Sequence, residues 1–377
     1  MTGTKAITRI QVEGFCSLKS VDLVPGRITV LIGPNGAGKS NLLDLLRMIP
    51  LMRTQSLRRF VGEAGGASAL LHYGPKTTRV MSIRLEFQQD TGTNAYAANL
   101  GYASGDSLIF LDESIEHKSR AAPAAGRVAT LGAGHAESRL EEEAQNGDNT
   151  AKTVRWWLSK INFYHFHDTS LTSPLRQNAR QADDKYLRSD GSNLAAFLRR
   201  LANSEAAEDI ASWKRIGMLI QKIAPYIKRL EPDLVDPANP VTSTVHLRWV
   251  DDRDYTFGVH DLSDGTLRAI ALITALSQPV SRLPAFVTID EPELGLHPAA
   301  ITLLAGLVRS IAPHCQVLLA TQSPALLDEF SADEVVVAER QNGETVFQHL
   351  DAEKLKNWLE EYSLSELFDK NVLGGRP

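Results

Sequence analysis

The chain has few of the features that mark secreted or membrane-spanning proteins. It contains only two cysteines among 377 residues, Cys16 and Cys315, and they lie far apart. Their number and spacing argue against a disulfide framework and are typical of a reducing compartment. No apolar run approaches the ~20 residues that span a bilayer, and the first residues lack the apolar stretch of a signal peptide. We therefore expect a cytoplasmic protein without a membrane partner.

An excess of positive charge is also missing. Lys and Arg number 40 against 45 Asp and Glu, which gives a formal net charge of −5 at pH 7. Any contact with nucleic acid must therefore come from a local basic patch. There is no internal repeat, and no heptad pattern long enough for a coiled coil. The apolar fraction of 43% and the charged fraction of 23% are those of an ordinary globular protein.

The N-terminal third begins with a strand, loop and helix pattern. Apolar residues 28–32 run into a glycine-rich turn, and residues 40–49 have helical spacing up to Pro50, which we expect to end the helix. Residues 78–110 alternate in three extended segments and predict an antiparallel meander. Residues 117–150 lack a steady period and predict a mobile or weakly helical surface segment.

The remaining chain changes from helices to alternating elements. Residues 195–230 have a helical period interrupted at Pro225, and a hairpin follows around the polar turn 251–254. The last third then alternates helix and strand. This alternation predicts a largely parallel sheet covered by helices.

The glycine-rich turn fits the P-loop spacing G-x-x-x-x-G-K-[ST] over residues 33–40. In such a loop, backbone N–H groups and a helix N-terminus surround phosphate oxygens, Lys39 reaches the β and γ phosphates, and Ser40 can ligate Mg²⁺. A chance glycine-rich turn is the alternative, which the flanking strand and helix disfavour. We predict ATP and Mg²⁺ as cofactors. The expected nucleotide contacts are Asn35, Gly36, Ala37, Gly38, Lys39, Ser40 and Asn41.

A second motif has the form of a Walker B strand. Residues 286–289 are apolar or small and are followed by two acids, Asp290 and Glu291. A carboxylate at a strand end can hold the Mg²⁺ shell, and the next one can orient or deprotonate the attacking water. We assign Asp290 to the metal and Glu291 to the water. A strand end with solvated acids is the alternative.

The segment Leu-Ser-Asp-Gly-Thr at residues 262–266 precedes a predicted helix. Ser263 is suited to cap that helix, and Gly265 allows close approach of the backbone, so the helix start is a second candidate anion site. One nucleotide needs only one P-loop. A second phosphate-binding helix start is explained if it covers the γ phosphate held by another copy, which predicts a homodimer with ATP at its interface. An ordinary serine cap is the alternative.

In this order, the P-loop, LSDGT, IDEPELGLHP and ATQSP resemble the ABC-type ATPases of the RecF, SMC and OLD (overcoming lysogenisation defect) group. The chain is most similar to the compact bacterial "predicted ATPase" branch of RecF-like AAA proteins, which Tyr164-His165-Phe166, Asp190–Leu194 and the Gly-Gly-Arg-Pro ending also match. The resemblance implies an α/β P-loop NTPase of ABC-ATPase-head type with an antiparallel β subdomain. We expect residues 1–115 and 236–377 to form this head around a helical insertion at 116–235.

The sequence departs from that family pattern at the residue expected to contact the γ phosphate and in the D-loop. Gln322 stands where ABC proteins usually have a histidine that contacts the γ phosphate; an amide donates a hydrogen bond but carries no charge. The acidic residue usual in the D-loop is missing from residues 295–298. A glutamine that links Mg²⁺ to the lobes is Gln88 or Gln89, with a simple polar turn as the alternative.

The resemblance implies an ATP-driven switch in DNA repair or anti-phage defence that acts with a separately encoded nuclease or other effector. A transporter ATPase and a nucleotide-gated scaffold with negligible turnover are the competing hypotheses. The chain after Glu291 is too short for a nuclease domain in cis, so we expect Asp252-Arg253-Asp254 to be a hairpin turn rather than a nuclease motif.

Two further sets of residues are candidates for binding. His165 and His167 are two apart, but two nitrogens without nearby acids make a poor metal site. Basic and aromatic residues suited to DNA are scattered over two regions, although most such residues form solvated helix faces. The set comprises Arg53, Arg58, Arg59, Trp156, Trp157, Lys160, Arg199, Arg200, Lys214, Arg215, Lys222, Lys228 and Arg229.

Overall fold

The computed structural model describes residues 5–121, 126–235 and 243–374. These residues form two compact units. The first unit contains the chain up to Phe163, then Pro284–Thr288, then the chain from Gln316 onward; the second contains Tyr164–Leu283 and Ile289–Cys315. Each helix in the described ranges is too short or too polar to cross a bilayer.

The elements are numbered in chain order. The first part of the first unit contains β1 (Ala6–Phe15), β2 (Leu18–Leu23), β3 (Ile28–Ile32), α1 (Lys39–Arg53), α2 (Leu57–Glu63), α3 (Ala67–Leu70), β4 (Val80–Gln89), β5 (Gly92–Ala103), β6 (Ser107–Ser119), β7 (Arg127–Gly132), α4 (Leu140–Gln145) and α5 (Asn149–Ser159). Then follow β8 (Ile161–Tyr164), β9 (Ala179–Arg180), α6 (Leu194–Ala202), α7 (Ala207–Ile223), β10 (Ile227–Leu234), β11 (Thr244–Asp251), β12 (Thr256–Gly258) and α8 (Asp264–Leu276). The chain closes with β13 (Phe286–Asp290), α9 (Pro298–Ile311), β14 (Gln316–Thr321), α10 (Pro324–Leu327), β15 (Val335–Gln341), β16 (Glu344–His349), α11 (Ala352–Leu359) and α12 (Leu364–Asp369).

One sheet of the first unit has the order β2-β1-β4-β5-β6-β7, and every neighbouring pair is antiparallel. The predicted meander is confirmed, and the residues of β4 are alternately buried and partly exposed from Met81 to Gln88. The prediction for residues 117–150 is wrong at its start: β6 continues to Ser119, and β7 pairs with it, with Ile115 opposite Ala129. The local sequence of β7 alternates only weakly, but the segment forms a strand because it pairs with the edge strand β6.

The second sheet has the order β16-β15-β3-β14-β13-β8. β3 pairs in parallel with both β14 and β15, and all five of its residues are buried. A strand covered on both faces is expected to be almost continuously apolar, and Thr29 is the one polar residue of β3. β8 and β13 carry the chain between the units, because their last residues, Tyr164 and 289–290, belong to the second unit.

Helix α1 does not end at Pro50 as predicted but runs to Arg53. A proline inside a helix removes one backbone hydrogen bond and strains the preceding turn. Met48, Ile49 and Met52 around it are completely buried in the core of the first unit. Burial of these side chains outweighs the local cost of the proline.

The second unit contains a smaller sheet, β10-β11-β12, with β9 paired to β11. The predicted helix to residue 230 is wrong, because α7 ends at Ile223 and Ile227–Leu234 forms β10, where Leu230 lies opposite Trp249. The residues after Pro225 therefore form a strand because they pair with β11, and the local sequence does not predict this pairing.

The predicted helical insertion at 116–235 is also wrong as a unit. It contains β7, β8, β9 and β10 beside its helices, and Leu140, Val154 and Trp157 belong to the core of the first unit. The predicted boundary at 235/236 lies at the edge of the described residues. The Gly-Gly-Arg-Pro ending lies outside them from Gly375 onward.

Candidate functional site

The P-loop connects β3 to α1 in the first unit. Gly36 and Gly38 have φ values of 79° and 100°, a region that glycine adopts without strain. A Cβ at Gly33 would overlap the carbonyl oxygen of Ala338, and one at Gly38 would overlap Oγ1 of Thr345 and lie 2.7 Å from Oγ of Ser17. At Gly36, apart from the glycine and its two chain neighbours, no atom of the described residues lies within 4 Å of an added Cβ. Glycine is thus needed for backbone conformation at two positions and for close packing at Gly33 and Gly38.

Lys39 lies inside this loop. The residue is only 6% exposed, and its Nζ donates to the carbonyl oxygens of Gly33 at 2.5 Å and Pro34 at 3.1 Å. Gly38 is the N-cap of α1 and forms no side-chain cap, so the first N–H groups of this helix are suited to an anion. The ammonium group of Lys39 and the uncapped N–H groups at the start of α1 can both contact phosphate oxygens, so the loop fits a bound nucleoside triphosphate.

Ser17 and Thr345 brace the base of the loop and were not found from the sequence. The Oγ of Ser17 accepts a hydrogen bond from Nδ2 of Asn41 at 2.6 Å and lies 2.6 Å from Oγ1 of Thr345. These two hydroxyl residues are 328 positions apart, so no spacing connects them. The amide of Asn41 therefore has a structural partner, and its contact with a nucleotide stays a prediction.

Gln322 follows β14 in the first unit. Thr321 is paired in parallel with Ile32, so Gln322 and Gly33 follow neighbouring strands at the same edge of the sheet. Ligands of open α/β sheets bind beyond the carboxyl ends of such strands. The structure thus places Gln322 at the sheet edge of the P-loop, where the resemblance implies a residue that senses the γ phosphate.

Gln88 makes the contacts of a turn residue. Its Nε2 donates to the carbonyl oxygen of Gln89 at 2.9 Å, and its Oε1 accepts from Oγ1 of Thr93 at 3.1 Å. These bonds close the turn between β4 and β5, which is the alternative that the sequence left open. A role of Gln88 at Mg²⁺ stays a prediction.

The two acids of the predicted Walker B motif lie at and just after the end of β13, in the second unit. Residues 286–289 are buried, whereas Asp290 and Glu291 are partly exposed. Glu291 has a φ of 38° and precedes Pro292. Positive φ is rare for a non-glycine residue and is doubly unusual before proline. Strain of this kind is concentrated at functional sites, which agrees with the predicted catalytic role of Glu291.

The signature turn begins α8 in the same unit. Oγ of Ser263 accepts from the backbone N–H of Thr266 at 3.2 Å, as predicted for an N-cap. A Cβ at Gly265 would overlap the carbonyl oxygen of Gly295, so glycine permits close backbone approach here. The contacts of both residues with a nucleotide stay predictions.

Two buried arginines hold this turn in place, and sequence reasoning missed both. Arg176 donates to the carbonyl oxygens of Thr169, Val259 and Leu262 and to the carboxylate of Asp264. Its side chain is only 4% exposed. No feature of the local sequence marks Arg176 for this role.

Arg268 lies on α8 and donates to the carbonyl oxygens of Phe166, His167 and Leu294. Burial lowers the pKa of Arg268, although the carboxylates of Asp264 and Glu291 oppose this change. The only charge in the mostly apolar stretch 267–276 of α8 was the signal that could have identified Arg268.

Some of the candidate nucleic-acid residues are engaged within the fold, whereas others are exposed. The exposed ones include Arg58, Arg59, Trp156, Lys214, Arg215 and Lys222. Trp157 is completely buried and stacks on Phe87 at 5.2 Å, so the prediction that it contacts DNA is wrong. Several basic residues of the second unit form ion pairs or carbonyl contacts. These include Arg199 with Pro232, Arg200 with Asp184, Lys228 with Asp254, and Arg229 with Glu231 and Asp254. Asp254 thus closes a hairpin turn, as expected.

The fold and the motifs define an ABC-type ATPase of the RecF/SMC/OLD-like class. A family model described as "AAA domain, putative AbiEii toxin, Type IV TA system" matches residues 28–328, and the chain belongs to this family. It is also 25% identical over 380 residues to the "OLD nuclease" of Thermus scotoductus, covering 96% of this chain and 68% of that protein.

Solved structures confirm the predicted fold class. An Smc head bound to the C-winged helix domain of ScpA has a TM-score of 0.58 at 17% identity and covers 93% of this chain and 99% of its own. An Smc head with an extended coiled coil from Pyrococcus furiosus has a TM-score of 0.57 at 15% identity, with 95% and 99% covered. The chain therefore has the fold of an SMC-type ABC-ATPase head, as the sequence predicted.

Proposed function

We propose that the protein binds ATP with Mg²⁺ and hydrolyses it as a molecular switch. The P-loop carries the proposal, because its glycines permit a closed loop and Lys39 is buried inside it. Lys39 then neutralises the β and γ phosphates. From their motifs we assign Ser40 and Asp290 to Mg²⁺ and Glu291 to the attacking water.

Two substitutions separate binding from hydrolysis. Lys39→Ala removes the charge on the phosphates and should abolish ATP binding, whereas Glu291→Gln should keep ATP and lose turnover. Nucleotide titration and phosphate release measure the two effects. Lys354→Ala, an exposed lysine of the first unit, is the matched control. Equal ATP affinity in wild type and Lys39→Ala would refute the P-loop assignment.

We further propose that ATP drives a symmetric homodimer. Ser263 begins a helix whose N-terminus favours an anion, and in a two-fold arrangement each copy contributes one P-loop and one signature turn. ADP lacks the γ phosphate and should not support this dimer. In this dimer, we propose that the nucleotide is also contacted by Asn35, Gly36 and Ala37 of one copy and by Gly265 of the other.

Light scattering with ATP, ADP and no nucleotide tests the dimer. Glu291→Gln should strengthen it by blocking hydrolysis, and Ser263→Arg should prevent it while the monomer still binds ATP. Ser331→Arg, at another exposed serine, is the control. An oligomer that forms without nucleotide and tolerates Ser263→Arg contradicts the proposal.

The switch is proposed to serve DNA repair or anti-phage defence inside the cell, with a nuclease or other effector supplied in trans. The similarity to an OLD nuclease and the toxin named in the family description support this.

If DNA is the ligand, the affinity of the protein for DNA should fall steeply with salt, because each phosphate contact releases counterions. We propose the exposed Lys214 and Arg215 on α7 as contacts.

Charge reversal at Lys214 and Arg215 should reduce the salt dependence of DNA binding. The same double reversal at Lys76 and Arg79, exposed in the first unit, should leave it unchanged. DNA binding that does not depend on salt, or no DNA binding in the presence of ATP, would contradict the proposal and favour a protein partner instead.

A nucleotide-gated scaffold is the second candidate, and Gln322 favours it. An uncharged amide at the sheet edge of the P-loop can donate a hydrogen bond but cannot transfer a proton as a histidine does. Gln322→His should then raise phosphate release without changing ATP affinity. Unchanged turnover in this variant would remove the support for the scaffold.

A further inference from the structure

The second unit brings the carboxylate of Asp290, from a distant part of the chain, to His165 and His167. His165, His167 and Asp290 each offer a ligand atom, and these three atoms lie within 4.8 Å of one another. The centroids of the two imidazole rings are 4.1 Å apart. Asp290 is 123 positions from His167, so only folding places this acid beside the histidines.

The backbone below the histidines is held rigidly. Tyr164 and Phe166 are buried and stack at 5.5 Å, and His165 and His167 alternate with them on the more exposed side. Arg268 donates to the carbonyl oxygens of Phe166 and His167 at 2.9 Å each. The imidazoles therefore project from a segment that a buried guanidinium positions, as a preorganised binding site requires.

One backbone contact also orients the imidazole ring of His167. Its Nε2 lies 2.9 Å from the backbone carbonyl oxygen of Asp290. A carbonyl only accepts, so this contact fits a neutral imidazole that donates from Nε2 and keeps a lone pair on Nδ1. Metal-binding histidines use such bonds to orient the ring and to raise the basicity of the ligand nitrogen.

We propose that His165, His167 and Asp290 form a site for a divalent transition metal of the Zn²⁺ or Co²⁺ class. Two imidazoles and one carboxylate are the ligand set of many zinc sites that keep an open position for water. Imidazole selects such metals over Mg²⁺, which prefers oxygen ligands. Because Asp290 is also assigned to Mg²⁺, the occupied site should inhibit ATP hydrolysis; only this consequence rests on the proposed function.

Direct titration tests the site without nucleotide. Full-length protein without a histidine tag is titrated with Co²⁺, whose visible absorption intensifies when few ligands surround the ion. We expect saturation at one equivalent. His165→Ala and His167→Ala should each weaken binding by at least about tenfold, whereas His314→Ala, an exposed histidine of the same unit, should not. Thermal unfolding by circular dichroism confirms that each variant is folded.

A saturable band that survives in the double variant His165→Ala/His167→Ala would overturn the site, as would the absence of any band in wild type. Inhibition of phosphate release by Zn²⁺ is the second readout, and it should disappear in the double variant. Histidine-dependent Co²⁺ binding in a protein without ATPase activity would refute the proposed function alone. ATPase activity without histidine-dependent metal binding would refute the metal site alone.

Discussion

The P-loop of the first unit and the signature turn of the second both present a helix N-terminus, but different contacts hold them in place. At the P-loop, Gly33 and Gly38 allow backbone and hydroxyl groups to approach where a side chain would overlap them. At the signature turn, Arg176 and Arg268 bind six backbone carbonyl oxygens in total. The P-loop also contains the buried Lys39, and the signature turn also needs Gly265. The difference is that Lys39 binds two backbone carbonyl oxygens of its loop, whereas each of the two arginines binds three.

This difference has an energetic consequence. When such a glycine is replaced, the new Cβ overlaps a neighbouring atom, and the surrounding backbone can partly relieve this overlap by moving. A guanidinium that satisfies three buried carbonyls fails by leaving acceptors without donors, and movement of the backbone cannot replace the lost hydrogen bonds. The signature turn is therefore the more sensitive of the two to loss of a single side chain.

The largest expected effect follows from Arg268→Met. The substitution keeps the apolar volume but leaves three carbonyl oxygens without their donor, so the free energy of unfolding should fall by about 4 kcal/mol. Urea unfolding measures the loss. Arg268→Lys is the matched variant, because it keeps the charge but cannot reach three acceptors with a planar fork. Full stability in Arg268→Lys would show that charge, rather than geometry, holds the turn.

A smaller effect is expected for Gly33→Ala in the P-loop. The new Cβ overlaps the carbonyl oxygen of Ala338, which should cost about 3 kcal/mol and abolish ATP binding. For the free energy of unfolding, Gly36→Ala is the control, since it adds only the cost of positive φ, about 1 kcal/mol. Equal losses of unfolding free energy in the two variants, measured by urea unfolding, would mean that close packing is unimportant at this loop.

The smallest effect concerns a salt bridge of the first unit and its pH dependence. Arg84 donates to both carboxylate oxygens of Glu116, at 2.7 and 2.8 Å, and holds the pKa of Glu116 below its ordinary value of 4.5. A lowered pKa stabilises the fold above pH 4.5 and loses this contribution as pH falls below it. Solvent screening limits the effect to less than about 1 kcal/mol.

Glu116→Gln should therefore flatten the acid limb of the stability curve. Urea unfolding of wild type and variant at neutral pH and below pH 4.5 measures the difference between the two limbs. A parallel acid limb in both proteins would assign the pH dependence to other carboxylates.

Much of the first unit was predictable from the sequence because its rules are local. The P-loop, the buried strand β3 and the meander β4–β6 each follow from the spacing of nearby residues, and the structure contains them. Predictions failed where a distant partner decided the outcome. Pro50 stays inside α1 because its neighbours are buried, and β10 replaces a predicted helix because β11 pairs with it.

The sequence by itself determined the class of this protein, because residues 33–40, 262–266 and 286–291 contain their chemistry in contiguous stretches. Tertiary structure alone decided which side chains support those stretches: Ser17 and Thr345 below the P-loop, Arg176 and Arg268 around the signature turn. It also decided that Asp290 lies beside two histidines. The physical reason is that spacing records only neighbours along the chain, whereas a buried hydrogen bond or a ligand set joins residues that are brought together by the burial of distant apolar surfaces.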